Sequence, residues 1–216
     1  MPSSTAGGVG FLDPQTIVAV LGITKGMKIA DLGSGSGDFT IILAKMVGED
    51  GVVSAVDVME DKLESVRAKA QFAGVNNIQT IRANLEVLGS TGLSDNSQDL
   101  VLLANVLFQS NDKLGILTES SRVLNENGKL VIVEWRPNEG EGVLKSADFM
   151  YRPSTERGST EAIRPNVMGR ASLGPPDNLR IDSNAMRDLA TSSGFTFERT
   201  VDAGIFHYGL IFNKIR

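Results

Sequence analysis

Cysteine is absent from the 216 residues, which excludes disulfides, thiolate metal centres and cysteine nucleophiles. Histidine occurs once, so His207 alone carries a side chain whose free pKa lies near neutrality. Positive charge is also in short supply. Lys and Arg number 21 against 26 Asp and Glu, a net charge of −5, and no strong basic field exists to hold a polyphosphate backbone. Nucleic acid is therefore not expected as the main partner. No apolar run approaches the roughly eighteen residues that a membrane span requires. Residues 1–10 have neither the basic start nor the apolar centre of a signal peptide and read as a flexible tail. With no cysteines, the chain is expected to be cytoplasmic.

What is present is 41% apolar composition, enough for one sizeable α/β core. Asp13-Pro14 reads as an N-cap followed by proline in the first turn, opening a helix through about Leu21. Strands are expected at Lys28–Leu32, 51–57, Ile78–Arg82, 97–104 and 129–135. Helices fall between them at Asp38–Val47, Glu60–Ala73 and 113–124, the last stopped at Asn127-Gly128. This alternation implies right-handed βαβ units and a parallel sheet covered on both faces. Near the C-terminus a helix at about 183–193 precedes two strands, 195–201 and 206–213, joined by a tight Asp202-Ala-Gly-Ile turn. That hairpin requires one strand to run antiparallel to the rest. Residues 11–216 read as a single domain, interrupted by an irregular insertion at about 137–180, rich in Gly, Pro, Ser and mixed charge. It is either a disordered insertion or a lid leaving the carboxyl end of a strand, where α/β sheets bind ligands.

The most informative stretch is Asp31-Leu-Gly-Ser-Gly-Ser-Gly37. An apolar strand runs into a glycine-rich turn and a helix follows at once, so bare backbone and unpaired N–H groups face whatever occupies the turn. A nucleotide-like ligand is the natural occupant. Dinucleotide folds carry Gly-x-Gly-x-x-Gly, whereas the spacing here is Gly-x-Gly-x-Gly with Asp31 two residues before the first glycine. A carboxylate beside the turn repels a pyrophosphate and suits a ligand with an amino group or positive charge.

This segment resembles the first motif of class I S-adenosylmethionine-dependent methyltransferases, whose cofactor carries a sulfonium cation and an α-amino group in place of phosphate. Residues 173–181 and 207–212 also resemble the C-terminal part of small methyltransferase-domain proteins related to the quinone-biosynthesis methyltransferases, so that the resemblance covers about residues 11–136 and 173–216. Residues 26–31 with 48–57 resemble tRNA-adenine and isoaspartyl methyltransferases. The resemblance implies a Rossmann-like, doubly wound seven-stranded sheet, mostly parallel with one antiparallel strand from the C-terminal hairpin. It implies S-adenosyl-L-methionine held by Asp31, Gly33, Ser34, Gly35 and Gly37 of the first turn. Asp57, with Val58 beside it, stands where an acidic side chain accepts from both ribose hydroxyls; alternatively it caps the helix near Glu60. Asn84 and the backbone of Leu85 stand where the family reads adenine, though Asn is equally a good turn residue. Asn105 reaches the amino-acid end of the cofactor, and Leu107 and Phe108 wall the pocket or simply pack. Glu134 and His207 are the candidate catalytic residues, deprotonating or orienting the acceptor, with a structural role for His207 as the alternative. No metal site is expected.

The reaction class implied is methyl transfer to a small molecule by in-line displacement. RNA or protein as acceptor is the second reading. A nicotinamide-dependent oxidoreductase lacks its glycine spacing and catalytic pair here, and a non-catalytic cofactor-binding protein completes the set.

Overall fold

A computed structural model describes residues 12–137 and 174–215. The tail expected at 1–10 and most of the insertion expected at about 137–180 lie outside the described residues.

Seven strands form one sheet: β1 (Lys28–Leu32), β2 (Val52–Asp57), β3 (Ile78–Arg82), β4 (Gln98–Ala104), β5 (Leu124–Trp135), β6 (Phe195–Asp202) and β7 (His207–Lys214). Their spatial order is β3-β2-β1-β4-β5-β7-β6. Pairings from β3 through β5 are all parallel, while β7 runs antiparallel to both β5 and β6. Only β7 therefore opposes the rest, as the hairpin required. Because β1 neighbours both β2 and β4, the direction of winding reverses there. The carboxyl ends of those two strands open the crevice in which doubly wound sheets seat ligands.

Strands buried on both faces need two apolar layers. One is built by α1 (Pro14–Ala19) and α2 (Asp38–Val47), whose Ile17, Val18, Phe39 and Leu43 pack on Ile29, Val53 and Val131. α3 (Glu60–Ala73) lies beside α2 and ends at Gly74 in the left-handed conformation. The other layer joins α4 (Lys113–Val123) and α5 (Ser183–Ser192) to the sheet through Ile116, Leu117, Met186 and Ala190 against Leu32, Leu103 and Phe212.

One boundary differs from expectation. β5 begins at Leu124, directly after α4, rather than at Lys129 beyond an Asn127-Gly128 stop. Pairing with β4 jumps from Gln98–Leu124 to Leu100–Lys129, so Asn125–Gly128 form an irregular bulge inside the strand. Gly128 is needed there because a Cβ would stand 2.6 Å from Leu124 Cδ2. Two single-turn 3₁₀ helices, Leu107–Gln109 and Asp177–Leu179, have no periodicity long enough to read from sequence. Among the described residues no helix is long and apolar enough to cross a membrane.

Candidate functional site

The turn after β1 is pinned by the N–H groups of Gly33 and Ser34, which donate to Val56 O at 2.7 and 2.9 Å. Gly33, Gly35 and Gly37 have φ of 80°, 52° and 85°, a region other residues enter only with strain. Each has a further and different reason to be glycine. A Cβ on Gly33 would lie 2.4 Å from Val106 Cγ2, one on Gly37 would lie 2.9 Å from Val66 Cγ2 of α3, and one on Gly35 would meet nothing within 4 Å. Gly35 thus presents bare backbone to the opening, Gly33 admits the turn after β4, and Gly37 admits α3. Gly37 accordingly stands off the cleft wall, which runs through Ser36 and Asp38 on either side of it.

That opening is a cleft of about 920 Å³ along the carboxyl ends of β1, β2 and β4. Asp31, Gly33, Ser34, Gly35, Asp57 and Val58 line it, and so do Asn84, Leu85 and Asn105. Of the ten residues expected at a cofactor, the structure brings all but Gly37 to one wall or another.

Its floor is acidic. Asp31 is 2% exposed and accepts from Thr40 Oγ1 at 2.6 Å. Burial pushes its carboxyl up to about 6, Thr40 partly offsets this, and Asp57 and Asp38 add to the rise. Asp57 accepts from Gly35 N at 2.9 Å through Oδ2 and from Met59 N at 2.9 Å through Oδ1. It ties the glycine turn to the entry of α3, and half of its roughly four lone-pair sites remain for a ligand. The cap of α3 is Met59, without a side-chain bond, so Asp57 is not that helix's N-cap.

On the far side, Leu85 is buried while Val58 and Asn84 are exposed. Asn84 Oδ1 accepts from Glu86 N at 3.1 Å, the turn role, and the residue still lines the cleft. The β3–β4 connection has no helix; a buried ion pair shapes it instead. Glu119, fully buried on α4, accepts from Arg122, from Thr91 Oγ1 at 2.5 Å and from Gly89 N at 2.8 Å. Burial raises its pKa, but the bonds from Arg122, Thr91 and Gly89 outweigh this and hold it at about 2.

Two buried polar atoms of the cleft have no hydrogen-bond partner among the described residues: Ser34 Oγ and Asn105 Oδ1. Orphans of this kind are costly unless a ligand completes them. Asn105 has φ 58°, its N–H donates to Val133 O at 2.8 Å, and its C=O accepts from Gln109 Nε2 at 2.7 Å. An acidic floor, bare backbone at Gly35 and an unpaired amide oxygen together fit a nucleoside with a cationic, amino-bearing tail.

The two catalytic candidates stand elsewhere; neither lines the cleft among the described residues. Glu134 is 1% exposed, and its Oε1 accepts from Val106 N at 3.0 Å and Leu107 N at 2.6 Å. Burial pushes it up to about 7 against the pull of those N–H groups. His207 is 2% exposed, pairs with Trp135 across β5 and β7, and lies 4.1 Å from that ring. Burial first, then Arg180 and Arg136, depress it to about 4, so it is neutral and weakly basic at neutral pH. Tyr208 points to the opposite face, as alternation demands, and donates to Ile181 O at 3.0 Å. Leu107 is fully buried in the core.

Sequence reasoning missed Thr40, Val106 and the Glu119–Arg122 pair. Thr40 sits two residues into α2 with no pattern to mark it, Val106 meets Gly33 from a distant segment, and the Glu119–Arg122 pair, three residues apart on α4, matters through its reach to Thr91 and Gly89. Among the described residues no cluster of three or more His, Cys, Asp or Glu is disposed to hold a metal ion.

Residues 23–167 match the family described as "Methyltransferase domain". The chain is 29% identical over 180 residues to the ubiquinone/menaquinone biosynthesis C-methyltransferase UbiE of Shewanella sp. (strain W3-18-1), spanning 82% of this chain and 70% of that protein. Its fold is similar to that of a SAM dependent methyltransferase from Aquifex aeolicus, with a TM-score of 0.73, 22% identity and coverage of 95% and 91% of the two chains. It is also similar to CrArsM, an arsenic (III) S-adenosylmethionine methyltransferase from Chlamydomonas reinhardtii, with a TM-score of 0.62, 24% identity and coverage of 89% and 64%.

Proposed function

The chain belongs to the methyltransferase-domain family and is an S-adenosylmethionine-dependent methyltransferase, and from that premise we propose that it methylates a small molecule, with Asp31, Asp57, Asn84 and Asn105 holding the cofactor. The observation that carries the binding mode is the conjunction of an acidic floor with the orphaned Asn105 Oδ1 in one cleft. Asp57 accepts from the ribose hydroxyls with the lone pairs that Gly35 and Met59 leave free. Asn105 Oδ1 and Ser34 Oγ take the polar groups of the amino-acid tail. Asp31 supplies negative charge in a site where burial strengthens its field. Leu85 packs on one face of the base, and the NH₂ group of Asn84 meets its edge.

When bound, the cofactor supplies an electrophilic methyl carbon, and the acceptor's nucleophile forms its bond there as the sulfur–carbon bond breaks. The protein's contribution is alignment. Side chains that need move no proton can serve such a reaction when the acceptor does not hold its proton tightly. A small acceptor agrees with the net charge of −5, which gives a polyanion no general attraction, and with the relatives named for ubiquinone and menaquinone biosynthesis.

Calorimetric titration with S-adenosylhomocysteine and with NADH tests the cofactor, with heat expected only from the first. Transfer of labelled methyl from S-adenosylmethionine to quinol-type rings, compared with bulk tRNA, tests the acceptor. Label appearing only in tRNA overturns the small-molecule reading.

A further inference from the structure

Glu134 is the penultimate residue of β5, on the side of the sheet that carries Leu130 and Ile132. A carboxylate in that layer is costly unless something requires it. One oxygen is fully occupied: Oε1 takes the N–H groups of both Val106 and Leu107. The other, Oε2, has no partner among the described residues. The groups it binds belong to the turn that leaves β4. Asn105, the residue before them, lines the cleft, sits at φ 58° and carries a buried Oδ1 with no partner among the described residues. Val106 places its methyl groups so near Gly33 that a Cβ there would approach Cγ2 to 2.4 Å.

These contacts form a continuous path from Glu134 through the backbone of Val106 and Leu107 to the glycine turn. We propose that Glu134 is a positioning residue: by binding two successive backbone N–H groups it sets the turn after β4 against the turn after β1, and so fixes where Asn105 meets the cofactor's amino-acid end. This rests on the cofactor assignment above. It gives Glu134 a part that needs one acceptor oxygen and no proton transfer. An apolar side chain of the same size leaves two N–H groups unpaired near the cleft, which is costlier than losing the bonds alone. A glutamine keeps an acceptor oxygen in place.

Binding of S-adenosylhomocysteine by calorimetry, with amide hydrogen exchange at Val106 and Leu107, tests the proposal on Glu134→Gln, Glu134→Leu and Phe195→Leu. Phe195 is fully buried where β6 starts, at the sheet edge away from the cleft, and serves as a control for general destabilisation. Glu134→Leu is expected to bind about tenfold more weakly or worse and to lose protection at both amides. Glu134→Gln is expected to restore both, staying within about twofold of wild type. Phe195→Leu is expected to lower Tm with affinity unchanged. Wild-type affinity in Glu134→Leu, or Glu134→Gln as weak as Glu134→Leu, overturns the proposal. If Glu134→Leu does not fold, Val106→Ala decides: it keeps both N–H bonds and withdraws the methyl groups from Gly33, so weaker binding with protected amides supports the path and unchanged binding overturns it. A wild-type protein that ignores S-adenosylhomocysteine strikes the cofactor assignment instead, an outcome distinct from all of these.

Discussion

Thr40 donates its hydroxyl to the buried carboxylate of Asp31 at 2.6 Å, across the glycine turn. That bond moderates a pKa raised to about 6 from an ordinary 3.8, with Asp57 and Asp38 adding negative charge nearby. A cationic ligand prefers the ionised carboxylate. Affinity for S-adenosylmethionine should therefore rise with pH up to about 6 and level off above it. Below 6 the slope approaches about one log unit per pH unit, the limit for one linked proton. Thr40→Val removes the bond that lowers the pKa, so its midpoint should lie higher. Titrations in buffers of different ionisation enthalpy measure the proton released.

Gly35 and Gly37 separate binding from stability. Gly35→Ala meets no atom within 4 Å and points into the cleft, at the strain of φ 52° alone. We expect a stability loss of about 1 kcal/mol and a far larger fractional loss of cofactor affinity. Gly37→Ala has φ 85° and a Val66 methyl at 2.9 Å, so its stability loss should be the greater, about 2–3 kcal/mol. Paired melting and titration curves read both.

Glu119 is the interior anchor of the β3–β4 connection. Glu119→Ala leaves Arg122 with Asp95 as its one carboxylate partner and frees Thr91 and Gly89, at an expected cost of about 2–3 kcal/mol. Because its pKa is held at about 2 instead of 4.5, its contribution is present above pH 4.5 and fades as pH falls toward 2. Urea melts of wild type and variant across that interval should converge at the acid end.

Glu134 titrates with the opposite sign. Between its ordinary 4.5 and about 7 in the fold, the unfolded chain releases the proton that the folded chain keeps. Wild type therefore loses stability as pH rises through that interval, by roughly 3 to 3.5 kcal/mol at most. Glu134→Gln should lack this loss. His207, depressed from 6.5 to about 4, works the other way, gaining the fold stability as pH rises between those values. The difference between wild type and Glu134→Gln isolates the carboxylate.

Most strands and helices were legible because each carries its own signal: a buried run from Ile29 to Leu32, a glycine stop at Gly74, a proline turn at Pro14. The start of β5 was not, because Leu124 is strand only by pairing with Gln98. The lining of the cleft was legible since its residues follow strand ends at recognised spacing. The placements of Glu134 and His207 were not. Alternation told which face each takes, but not that Glu134 is spent on two N–H groups 27 and 28 residues away, nor that Trp135 covers the imidazole. Likewise, spacing showed three glycines and only packing showed three distinct reasons for them.

The sheet ends in β3 on one side and β6 on the other. Along β6 the exposed positions are Thr196, Glu198, Arg199, Thr200 and Asp202, with Lys129 bonded to Glu198, and β3 shows Gln79 and Arg82 outward. A foreign strand docking on either rim would have to dehydrate charges before it gained a single ladder bond. Strand addition is thereby disfavoured most along β6, where the exposed charges are concentrated.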